Sequence, residues 1–440
     1  MFGYYFDLAI RSLRRNPVLT ALMVLAIAVG IGASMTTLTV LTLLSGDPIP
    51  SRSGVLYYPQ VDPDTSKDDS REPTDVLDYP SAVDMWRAKR ADRQTLLVET
   101  GMKTMAPQST ARPVMAPTLV TTADFFPMFA VPFRYGHGWS ADDDERRARV
   151  AVISAELNNK LFGDVDSTGK TLRVRDVDFT IVGVLDHWRP RPQFYTVRGG
   201  RMAAGDTASY YQRPQDVFMP FFTGLDVGRG TFGVYNCWQL PDDFTKLETS
   251  ACNWVTLWAE LDTTAKAHDY ARFVADYASQ QKALGRFSHA GNTRMRNLMQ
   301  WLSFNRVVPA DVSLQAWLAF AFLAICLFNT VGLLLAKFMR RSGEIGVRRA
   351  LGATRGGIFM QCLVEAGVIG LVGGVGGLLL TLVGLWLVRQ QPAAYADLAH
   401  LDPAMFLVTF GLSIAAAMLA GILPAYRASR VTPGLQLKTL

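Results

Sequence analysis

The sequence is poor in the side chains that most site chemistry needs. Only four cysteines and five histidines occur in 440 residues, with no CxxC pair and no His-rich tract to hold a metal. His137, His187, His268, His289 and His400 are scattered, and HExxH and GxSxG are absent, so neither a zinc site nor a hydrolase triad is indicated. A phosphate loop needs G-x-x-x-x-G-K-[ST]; the nearest stretch, Gly163 to Thr171, places five residues between its glycines and fails that spacing. S-x-x-K occurs at Ser167 to Lys170 and Ser279 to Lys282, but without the S-D-N or K-T-G that would give it meaning. The expectation is a non-catalytic chain with no cofactor and no metal of its own.

Charge is also missing, and from four places in particular. Val18 to Leu44, Val312 to Ala336, Ala366 to Val388 and Pro403 to Tyr426 are uncharged runs of 23 to 27 residues. A bilayer core is spanned by about 20 residues of helix. Soluble core helices rarely run that long without a charge, so four transmembrane helices are expected, the third beginning near residue 358. The first run exceeds the 7 to 15 residues of a signal-peptide core and reads as a retained anchor.

Basic residues flank these runs unevenly. Arg11, Arg14 and Arg15 precede the first, six Lys/Arg follow the second, and Arg427, Arg430 and Lys438 follow the fourth. The excess places both termini and the 337–361 loop in the cytoplasm, leaving residues 46–312 and the short 389–402 loop outside. Residues 46–312 hold 31 basic and 33 acidic side chains, net −2, and the remainder holds 13 and 5, net +8. The overall charge of +6 is thus topological, and it implies contact with lipid and no nucleic acid.

The 1–17 segment alternates charge with Tyr4, Tyr5, Leu8 and Leu13 as an interfacial helix would. After a polar 46–72 loop, helical periodicity at 81–90, 154–162 and 265–284 is interspersed with strand patterns at 96–102, 114–120, 150–153, 172–184 and 254–261. That mixture predicts a large extracytoplasmic α+β domain between the first and second spans. Met295, Leu298, Met299 and Leu302 share helical spacing, which predicts a stalk helix over 292–305, with Pro309 marking a break before the second span. Cys237 and Cys252 fall in the external region, where disulfides persist; they are either bonded to each other or two thiols, and the bond is the reading taken. Gly30 and Gly32 in the first span, and the Gly373/Gly377 pair in the third, allow close helix packing in lipid. Glu365, one turn inside the third span, is expected to snorkel or to pair with Arg355.

The densest pattern is Lys337 to Gln361, where six Lys/Arg surround Glu344. Glu344 precedes Arg348 by four residues, the favourable order for a helical ion pair, and Val347 and Leu351 share a face. Gly352 suits the left-handed end of a helix, and Thr354 suits the cap of the next. The pattern predicts a short surface helix, a glycine turn and a membrane helix starting from it.

The order EIGVRRALGATRGGIFMQCLVEA resembles the signature loop of FtsX/MacB/LolC-type permeases of ABC transporters. DYPSAVDMW, VTTADFFPMFAVPFRYGHGWSADDD, VAVISAELNNKLFGD, GKTLRV and FTIVGVL, in order over Tyr79 to Leu185, look like the MacB-type periplasmic core domain. The ending at Pro424, Ala425, Arg427, Ala428, Arg430 and Pro433 resembles that family's C-terminal tail. The resemblance implies a coupling helix seated on an ATPase and formed by Glu344, Ile345, Gly346, Val347, Arg348, Arg349, Ala350, Leu351, Gly352 and Ala353. It implies a cytoplasmic ABC ATPase dimer, binding ATP and Mg, as partner on a separate chain, and a second permease subunit, identical or sibling. It further implies an inner-membrane location, a porter-type external part with an inserted lobe near 150–245, and mechanotransmission for efflux of a drug, peptide or other amphiphile. A periplasmic adaptor and an outer-membrane duct would complete such a pump. Lipoprotein release of the LolC type, FtsX-like regulation without cargo, and a ligand-binding sensor outside the family are the alternatives.

Overall fold

Length and apolarity divide the chain into two compact units, residues 1–45 with 308–440 and residues 46–307. The computed structural model describes residues 2–66, 72–107, 112–203, 208–308, 310–391, 394–400 and 403–430. Pro309 and Pro433 lie outside the described residues.

The first unit is helical. Phe2–Arg15 forms an N-terminal helix, and Pro17 opens the first span, Pro17–Ser45, a position where its missing N–H costs nothing. Ala310–Arg340 is the second span, Arg355–Arg389 the third and Pro403–Ser429 the fourth. All four are long and apolar enough to cross a bilayer. Small residues bring them together. A Cβ on Gly32 would come within 2.7 Å of Leu380, and one on Gly373 or Gly377 within 2.7 or 2.9 Å of Ile27 or Ile31. Only glycine admits the first and third spans at that separation. Gly30 faces Leu323 and Cys326 of the second span.

The second unit is built on one sheet of twelve strands among the described residues. Its main path runs Arg294–Asn297, Leu56–Gln60, Cys252–Glu260, Arg93–Met105, Val114–Thr121, Val217–Pro220, Val150–Ile153, Val177–Leu185 and Phe133–Gly136. Every residue of Cys252–Glu260 is buried, as a central strand covered on both faces requires. Cys237 and Cys252 sit opposite each other on paired strands and are joined by a disulfide.

Three sequence expectations change here. The 172–184 pattern is two strands, Thr171–Val174 and Val177–Leu185, because Arg175 takes φ 54° and turns the chain back. Residues 150–245 do not stand apart as a lobe. Val217–Pro220 pairs with Val114–Thr121 on one side and Val150–Ile153 on the other, which carries the sheet through.

The predicted stalk is the third. Arg294–Asn297 is an edge strand, and the helix starts only at Leu298, where Asn297 and Gln300 form a capping box. Trp301 then stacks on Tyr58 with ring centroids 3.8 Å apart and donates Nε1–H to the Val197 carbonyl at 2.9 Å. That burial ties the helix into the sheet unit, and it ends at Phe304.

Asp144 is 2% exposed and accepts hydrogen bonds from the Ala123 amide (2.7 Å) and Trp139 Nε1–H (2.9 Å). Burial pushes its carboxyl from 3.8 up to about 7 against those two bonds, and the charges of Asp124 and Asp143 add to the rise. A pKa raised on folding gives stability that is complete below 3.8 and lost as pH rises through about 7. The thermal midpoint of this unit in the full chain should therefore fall between about pH 5 and pH 8, and Asp144→Ala should flatten that slope. Replacing both Cys237 and Cys252 by serine opens a loop of sequence separation 15 and should cost the unit about 3 kcal/mol in denaturant unfolding.

Candidate functional site

The chain leaves the second span at Arg340 and immediately forms the short helix Ser342–Ala350. Its end is a Schellman turn: the Ala353 amide donates to the Arg348 carbonyl at 3.0 Å and the Gly352 amide to the Arg349 carbonyl at 3.1 Å. Gly352 adopts φ +100°, which a side chain would resist. Thr354 then caps the third span by accepting the Gly357 amide at 3.1 Å. Two helices are thus locked end to end by local bonds, independent of any partner.

The short helix has a fixed and a free side. Gly346 is buried and Ile345 packs against the apolar core of the bundle. Val347 and Leu351 are 44% and 82% exposed, and Ala350, Gly352 and Ala353 are exposed beside them. Arg348 and Arg349 are half-buried between the two sides.

Ion pairs hold the fixed side. Glu344 accepts from Arg348 at 2.8 Å and Arg341 at 3.2 Å, with Arg15 of the N-terminal helix 3.8 Å away. Partial burial raises the Glu344 carboxyl, but the hydrogen bond from Arg341 and the charges of Arg341, Arg348 and Arg15 outweigh it and hold the group below its usual range. Arg348 also donates to Gln361 of the third span at 3.3 Å.

Behind this surface lies a charge cluster that sequence reading missed. Glu365 does not pair with Arg355, which is exposed. Its carboxylate is buried 2.5 Å from Lys337 Nζ, accepts the Ser12 hydroxyl at 2.5 Å, and lies 3.5 Å from Arg341. Lys337 is wholly buried and Glu365 2% exposed at the side chain. A glutamate inside an apolar run was the available signal; its partner was decided by which helices converge there. Among the described residues no cluster of His, Cys, Asp or Glu could hold a metal ion.

Two family models match this chain: the MacB-like periplasmic core domain over residues 20–239 and the FtsX-like permease C-terminal region over residues 316–433. Among curated relatives, the macrolide export ATP-binding/permease protein MacB of Marinobacter nauticus is 26% identical over 69% of this chain and 40% of its own length. The protein of the same name from Rhodospirillum rubrum is 24% identical over 98% of this chain and 60% of its own length. The chain therefore spans about half the length of the curated relatives it matches. Among solved structures, the crystal structure of the periplasmic region of MacB from Actinobacillus actinomycetemcomitans is similar at TM-score 0.35 and 12% identity, covering 58% of this chain and 94% of that one.

Removing one member of a buried ion pair strands the other. Glu365→Ala should destabilise the helical unit by about 3–5 kcal/mol, read as loss of thermal midpoint in detergent, whereas Arg355→Ala should change it by less than about 0.5 kcal/mol.

Proposed function

The chain belongs to the family of FtsX-like permeases with a MacB-like periplasmic core domain, and from that premise we propose that Ser342–Ala350 is the coupling helix that docks on an ABC ATPase. Family membership makes it an ABC transporter permease, an inner-membrane protein with a periplasmic domain. The docking site, the cytoplasmic placement of both termini and the transport mechanism are our reading.

The observation that carries it is the exposure of Val347 and Leu351 on a helix fixed at both ends. Apolar side chains held rigidly in water, with arginines beside them, are the composition of a buried contact centre with a charged rim. The loop's excess of basic residues supports a cytoplasmic position, where an ATPase would meet it. The relatives are named as ATP-binding/permease proteins, which supports an ATPase, with its ATP and Mg, acting on this permease. ATP-driven approach of two such partners would push two permease subunits, identical or sibling, and open and close the periplasmic domains without cargo crossing between the spans. The relatives named for macrolide export support an amphiphile as cargo, delivered through a periplasmic adaptor and an outer-membrane duct.

Affinity purification of the tagged chain from mild detergent tests the docking. The native chain should recover a P-loop ATPase. Leu351→Asp should lower its affinity by roughly 30-fold, the effect of losing a contact worth about 2 kcal/mol, while leaving the thermal midpoint unchanged. Equal recovery by both, or by neither, counts against this site.

A further inference from the structure

The covalent route from the coupling helix to the third span is a single turn, closed by the Arg348–Ala353 and Arg349–Gly352 backbone bonds and by the Thr354 cap. The turn is exposed, with open space around Gly352 and Gly356. By itself it does not tie the third span to the second span or to the N-terminal helix. A push on Val347 and Leu351 is shared among those elements only if another path joins them.

Such a path exists in side chains. Arg348 and Arg341 bind Glu344, Arg341 reaches inward to Glu365, and Glu365 meets Lys337 and Ser12. Arg341 Nη1 also donates to the Ser12 hydroxyl at 2.5 Å. Both oxygens of the Glu365 carboxylate are engaged: Oε1 by the second span and the N-terminal helix, Oε2 by the start of the coupling segment. Leu334, Phe338, Ile358 and Cys362 are buried in the bundle core at this level.

Stability alone does not account for the arrangement. A buried ion pair is often replaced by apolar residues of similar volume with no loss of stability, and an ionisable group at membrane depth points first to function. What the pair adds over apolar packing is direction. The first and third spans meet separately, through Gly373 and Gly377 against Ile27 and Ile31, and the charge cluster holds no residue of the first span.

We propose that Glu365, held by Lys337, Arg341 and Ser12, is the positioning residue that makes the coupling helix, the second and third spans and the N-terminal helix move as one block. The inference rests on the docking proposed above. Glu365 contacts no ATPase; it acts by fixing the elements behind the contact.

The test compares the native chain with Lys337→Met/Glu365→Leu, each co-expressed with its ATPase, reconstituted in nanodiscs and followed by hydrogen exchange with and without ATP. Arg341 keeps Glu344 in this variant, so no charge is stranded. In the native complex ATP should alter exchange in residues 342–361 and in residues 46–307. In the double variant the ATPase should still bind and hydrolyse ATP, and the 342–361 response should persist. The ATP-dependent change in 46–307 should fall about tenfold, within the range of a coupling free energy, and Glu365→Asp should recover part of it. A full 46–307 response in a variant that binds and hydrolyses normally overturns the proposal, as does a lowered thermal midpoint with transmission intact. If the double variant does not assemble, Lys337→Gln/Glu365→Gln, which also strands no charge, is read by the same criteria. A native chain that recovers no ATPase overturns the docking itself and this inference with it.

Discussion

A carboxylate and an ammonium buried 2.5 Å apart, Glu365 and Lys337, set the terms for the helical unit. Neither charge can be left alone in a low-dielectric interior, so each span that carries one is constrained in rotation and depth. The third span must present Glu365 inward, the second must end with Lys337 facing it, and the N-terminal helix must bring Ser12 within hydrogen-bond reach. Arg341 extends the same constraint to the base of the short helix. The glycine packing of the first and third spans sets their close separation, a constraint separate from the charge cluster, which holds no residue of the first span.

The sheet unit obeys a different constraint. Its strands satisfy their backbone groups in one continuous ladder, and the aromatic contact of Tyr58 with Trp258 and Trp301 closes the region where the chain leaves for the second span. The disulfide between neighbouring strands adds a covalent tie at the sheet's margin. A unit stiffened in this way transmits displacement as a body instead of deforming internally, which suits a permease whose proposed work is mechanical.

Much of this was legible in the residue order. Four uncharged runs, the helical patterns at 154–162 and 265–284, and the Glu344, Gly352 and Thr354 pattern each depend on interactions within a few residues, and each element appears near its expected place. The misreadings share one cause. Met295, Leu298, Met299 and Leu302 have helical spacing, yet Met295 lies in an edge strand because Leu56–Gln60 offers it a partner. The 150–245 region joins the main sheet because Val217–Pro220 finds a neighbour on each side.

Sequence alone therefore determined the spans, the capped turn at Gly352 and the apolar face of Val347 and Leu351, since periodicity, capping and charge are local properties of a chain. Tertiary structure decided which strand lies at the sheet edge, that Trp301 is a core residue, and that Glu365 faces Lys337 and not Arg355. Those choices depend on groups tens to hundreds of residues apart competing for one partner. Pairing of a buried charge is settled only when the helices that bear the candidates have packed.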